Sequence, residues 1–100
     1  MIMSVKKLPF IEVGGNWYNV SIILNLINQI EVYKVIDSQE FNNQYFDINI
    51  IRLLVALKHD GVLSVPENGK YIAGNMFDKF KNRILTYMEN NPEIIQNIFS

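Results

Sequence analysis

The sequence predicts an α+β fold, mostly helical with small β-hairpins, and three observations carry that expectation. Two hairpin signals stand at Gly14-Gly15 and Asn68-Gly69, each between short apolar runs. Three longer stretches place apolar residues at helical rather than alternating spacing. Neither a repeat nor a linker interrupts the 100 residues, so the chain reads as one domain, 1–100.

From Leu8 to Val20 the spacing predicts a hairpin. Ile11 and Val13 share a face with Tyr18 and Val20, and Phe10 and Glu12 share the other with Trp17. A helix follows over 20–30 on the stripe Ile22, Ile23, Leu26, Ile27 and Ile30. Residues 31–36 read either as its last turn or as a short strand, and 37–46 as a loop or one short helix. Asp47 stands where an N-cap belongs, ahead of a helix over 48–59 that Asp60-Gly61 closes. Val62–Glu67 and Lys70–Ala73 then predict a second hairpin with a type I′ turn at Asn68-Gly69 and Val65 opposite Ile72. Asn75 caps a helix over 76–90, and Pro92 opens a last one over 92–99.

Composition narrows the function classes. The chain has no cysteine, so disulfides and thiolate chemistry are excluded, and this fits a cytoplasmic protein. The longest apolar stretch, 48–57, contains Asn49 and Arg52 and is too short to span a bilayer. The N-terminal residues lack the apolar region of a signal peptide, so Asn19-Val20-Ser21 is no glycosylation site. Net charge is −1, with residues 47–83 mildly basic at +2. Nothing in that balance drives the chain globally toward nucleic acid or an anionic membrane.

No catalytic constellation stands out, and the sequence predicts a non-enzymatic protein without metal or cofactor. His59 is the only histidine, and its place at a helix C-terminus suits the helix dipole better than a zinc site. Ser64 near His59 and Asp60 lacks the context of a nucleophile elbow. Gly14-Gly15 is a turn, since no phosphate-binding helix pattern follows it.

Leu54, Leu57, Gly61, Val62, Leu63, Gly69, Lys70, Tyr71 and Ile72 describe an amphipathic helix, a glycine stop and a two-stranded hairpin folding back on the core. That order resembles the winged-helix branch of the helix-turn-helix superfamily. From Leu53 to Pro92 the spacing also looks like the C-terminal winged helices of the selenocysteine-specific elongation factor, which bind RNA. The resemblance implies a small nucleic-acid-binding regulator whose recognition helix is 48–59. Its outer face would then carry Asn49, Arg52, Ala56 and His59, with Asn49 suited to adenine and Arg52 to guanine. Lys70 on the wing and Lys79, Lys81 and Arg83 on the next helix would meet phosphates. A nearly neutral chain would need to bind as a homodimer to gather enough phosphate contacts.

Two features point to a different class, a protein-interaction or inhibitor domain of the kind small phage and plasmid proteins often are. Phe10, Trp17 and Tyr18 form a candidate partner-binding patch on the first hairpin. The helix over 48–59 also carries more apolar residues than one buried stripe needs: Ile48, Ile50, Ile51, Leu53, Leu54, Val55 and Leu57. Either it is a central helix packed on two sides, or its surplus surface meets another chain.

Overall fold

The protein is described from a computed structural model, which covers residues 10–45 and 48–94. Its elements are β1 (Phe10–Val13), β2 (Asn16–Asn19), α1 (Val20–Tyr33), β3 (Ile36–Asp37), α2 (Ser38–Asn42), α3 (Ile50–His59), β4 (Leu63–Glu67), β5 (Lys70–Ala73) and α4 (Phe77–Asn90). The expected α+β architecture is the observed one. The Asp47 cap and most of the helix expected over 92–99 fall outside the described residues.

The first hairpin pairs as the alternation requires, with Ile11 opposite Tyr18 and Glu12 opposite Trp17. Gly14 and Gly15 both take positive φ, 59° and 86°, as a type I′ turn demands. Val20 does not extend β2. It opens α1, because the Asn19 side chain accepts the Ser21 amide and starts the helix there. The supposed glycosylation triplet is thus a helix cap. Residues 31–36 hold both expected alternatives: α1 runs to Tyr33, Lys34 closes it at φ 68°, and β3 begins at Ile36.

β3, β5 and β4 form one antiparallel sheet in that order, so the strand ahead of α2 pairs with the far strand of the second hairpin. Asp37 does two jobs at this junction. One carboxylate oxygen caps α2 by accepting the Gln39 and Glu40 amides, and the other takes the Lys70 ammonium at 2.6 Å. Lys70 donating to it, with the two amides, holds the Asp37 carboxyl below its ordinary value near 3.8, and the same pair raises Lys70 above 10.5. A depressed carboxyl stabilises the fold above its unfolded value, and that contribution is lost as pH falls below about 4. A raised amine stabilises below its unfolded value, and that is lost in the alkaline range. Asp37→Asn keeps a competent cap but removes the ion pair. The expected melting difference from wild type is therefore greatest between about pH 5 and 9, fades as pH falls below about 4 and shrinks with salt.

The second hairpin departs from its expected register. Ser64, not Val65, faces Ile72, and a bulge lies between Ser64 and Glu67. Glu67 still faces Lys70, so the extra residue is taken up within Val65–Pro66. The turn differs as well. Gly69 has φ 82°, but Asn68 is not among the positive-φ residues, which excludes type I′.

α3 starts at Ile50, two residues later than expected, because Asn49 is its N-cap. Its end is a Schellman motif, with the Val62 amide on the Leu57 carbonyl and the Gly61 amide on that of Lys58. α4 begins at Phe77, and Asn75 does not serve as its cap; the capping position is Met76, without a side-chain hydrogen bond. The core gathers α1, the inner faces of both hairpins, Phe41 of α2, and Leu53, Leu54 and Leu57 of α3. α3 is not packed on two sides, since Ile48, Ile51 and Val55 remain exposed.

Candidate interaction surface on the third helix

At about 100° per residue, the buried residues Ile50, Leu53, Leu54 and Leu57 occupy one side of α3. Ile51, Val55, Lys58 and His59 then lie on the opposite side, with Arg52 at one edge, and Ile48 precedes the Asn49 cap. Ile48, Ile51 and Val55 are 37%, 42% and 50% exposed. Fully burying a side chain of this kind is worth ~1.5–3 kcal/mol, so about half of that is left unclaimed at each.

This face is not the one the sequence suggested. Asn49 and Ala56 lie toward the first hairpin, about one residue further around the helix. The turn of that hairpin is seated on Ala56 so closely that a Cβ on Gly14 would stand 2.7 Å from the Ala56 Cβ. Tyr18 reinforces the seat by donating its hydroxyl to the Asn49 carbonyl at 3.4 Å. The Asn49 side-chain oxygen accepts the Arg52 amide at 3.0 Å, so it is committed to the cap rather than presented for base contact.

The remaining basic candidates do not converge. Lys70 is paired with Asp37, and Lys81 with Glu31 of α1. The Arg83 guanidinium sits 5.3 Å from the centre of the Phe80 ring. Lys79 and Arg83 line an open groove of about 1090 Å³ between α4 and the first hairpin, but Glu12 and Asp60 line it too. Its charge is balanced. Among these candidates Arg52 and His59, joined by Lys58, accompany the exposed α3 face, and the His59 ring, 3.6 Å from the Asp60 carboxylate, is almost fully in solvent.

The aromatic patch divides. Tyr18 is only 4% exposed, and its burial raises the hydroxyl pKa, with the nearby Arg52 charge opposing. It belongs to the core and is no surface contact. Trp17 is exposed, and with half-buried Phe10, Arg83 and Tyr87 it lines a shallow groove of about 380 Å³. Tyr87 is itself engaged, donating to the Phe10 carbonyl at 3.3 Å.

Among the described residues, no group of three or more His, Asp or Glu is placed to hold a metal ion, and no helix is long and apolar enough to cross a membrane. No family model matches the chain, and comparison with curated proteins and with solved structures finds no match.

Ile51 and Val55 were expected only as surplus apolar surface open to another chain, and Lys58 was not expected as a site residue. The signal was present: their positions oppose Leu53, Leu54 and Leu57 on a helical projection, so burying one set exposes the other.

Proposed function

We propose that this protein is a non-enzymatic binding module of winged-helix architecture that docks a protein partner on the exposed face of α3. The order α1, β3, α2, α3, β4, β5, with β3 joining the hairpin to give the sheet order β3-β5-β4, supports the winged-helix reading. In that reading β4–β5 is the wing and α3 is the presented helix. The observation that carries a protein partner is the exposed pair Ile51 and Val55 on that helix, with exposed Ile48 just ahead of it. Desolvated apolar contact is worth most against another apolar surface, whereas a base edge or phosphate offers these side chains little.

One observation favours a second reading, nucleic-acid binding: Arg52 stands exposed on α3 with Lys58 one and a half turns away. Against it, Lys70 and Lys81 have carboxylate partners, which removes two of the expected phosphate contacts.

The test has two arms. Titration of random duplex DNA and single-stranded RNA is expected to give nothing tighter than non-specific binding, on the order of 10⁻⁴–10⁻⁶ M. Selection from a displayed library of helical peptides is expected to enrich amphipathic sequences that lose binding to Ile51→Asp and Val55→Asp. Tight duplex binding that Arg52→Ala weakens by about 1–3 kcal/mol, with a steep salt dependence, would overturn the proposal in favour of the second reading.

A further inference from the structure

We infer that the partner of α3 is an acidic amphipathic helix, a conclusion that rests on α3 being the docking surface. The apolar seam on the helix follows i, i+4 at Ile51 and Val55, the spacing by which one helix packs its ridge against another, and Ile48 stands exposed just ahead of the cap. The exposed helical face from 51 to 59 spans about 12 Å, room for about two turns of a partner. A strand is the poorer fit. The edge strand β4 carries Pro66, a bulge and Glu67, all of which discourage addition of another strand.

Charge selects among helices. Arg52 lies on one flank of the seam and Lys58 on the other, and neither has an ion-pair partner among the described residues. Asp60, beside His59, is the carboxylate next to the end of the helix. A partner with apolar residues along its centre and glutamates or aspartates on both flanks satisfies the seam and both cations together. A second copy of this chain does not. In a two-fold pairing of α3 on α3, each cationic flank meets the cations of the other.

The probes are three labelled, helix-stabilised peptides of about two turns. They share one leucine seam and differ only in flanks of Glu, Gln or Lys. Fluorescence anisotropy at low salt is expected to rank Glu above Gln above Lys, with about five- to tenfold between Glu and Gln, narrowing as salt rises. The double variant Arg52→Glu, Lys58→Glu is expected to reverse the order. Ile51→Asp, and the milder Val55→Ser as a check against misfolding, are expected to weaken all three.

Equal binding of the Glu and Gln peptides, still lost in Ile51→Asp and Val55→Ser, would overturn the acidic partner while leaving α3 as the docking surface. Binding by none of the three, or binding untouched by the α3 variants, would overturn both. Duplex DNA displacing the Glu peptide more effectively than unlabelled peptide does would assign Arg52 and Lys58 to phosphates and overturn the inference. Sedimentation showing that a dimer buries α3 would overturn it in favour of a second copy.

Discussion

Gly74→Ala is expected to destabilise the protein by about 3 kcal/mol or more, and to lower its melting temperature by more than about 12 °C. Gly74 follows β5 where the chain crosses the end of α3, and a Cβ there would lie 2.4 Å from the Gly61 carbonyl oxygen. It would also come within 3.1 Å of the Leu63 carbonyl carbon. Both obstacles are backbone, so no side chain can swing aside. The crossing is held by hydrogen bonds as well, from the Gly74 amide to the Val62 carbonyl at 2.8 Å and from the Met76 amide to the Gly61 carbonyl at 2.9 Å. A methyl group must therefore part strands or break bonds. Gly15→Ala is the informative control, because no atom lies within 4 Å of its Cβ and only its φ of 86° opposes the change. That substitution should cost about 1–2 kcal/mol. Thermal melts of the two variants side by side would show whether contact or backbone angle dominates. A Gly74→Ala protein as stable as Gly15→Ala would disprove the crossing.

Phe41→Ala should remove ~3–5 kcal/mol, a large share of the ~5–15 kcal/mol available to a domain of this size. α2 has only five residues, and Phe41 is the single one it buries. The ring is 1% exposed and meets Tyr45 edge-on at 5.4 Å. Tyr45 in turn accepts from the Asn25 side chain of α1 at 2.7 Å, so one aromatic anchors α2 and the adjoining loop to the first helix. Phe41→Leu keeps most of the volume and should cost less than about 1.5 kcal/mol. Denaturant titration of both variants would test this; equal losses would mean that α2 is held by its backbone and cap rather than by the ring.

What the sequence made legible was set by how local each signal is. Gly14-Gly15 and Asn68-Gly69 located both turns, because positive φ is a property of one or two residues. The strand register beyond Asn68-Gly69 was not legible. A bulge at Pro66 depends on which backbone groups the partner strand presents, and that is a tertiary matter. The start of α3 was misplaced because Asp47 and Asn49 are both good caps, and their residue types do not rank them. Val20 fitted both the strand alternation and the start of the helix, and the Asn19 cap gives it to α1.

For the site, the surplus apolar character of α3 was readable from composition, but its destination was not. Packing on two sides and exposure on one give the same sequence pattern. The neighbouring hairpin decides between them by covering Ala56 and leaving Val55 outside. Likewise, Lys70 and Lys81 looked like free cations because Asp37 and Glu31 lie far away in sequence. Tyr18 looked like a surface aromatic because nothing local shows that its hydroxyl reaches Asn49.

The junction at Asp37 also bears on how the molecule opens. β1–β2 and β4–β5 join neighbours in sequence, whereas β3 meets β5 through Ile36–Tyr71 and Asp37–Lys70, the latter two 33 positions apart. Closing so long a loop for two residue pairs gives little enthalpy in return for the chain entropy lost. β3 is thus the weakest seam of its sheet, made late in folding and released early. Amide exchange at Ser38, which donates to the Gly69 carbonyl, should run ahead of exchange within the β4–β5 ladder. Exchange there ahead of the ladder would mark a local opening at β3 that stops short of unfolding.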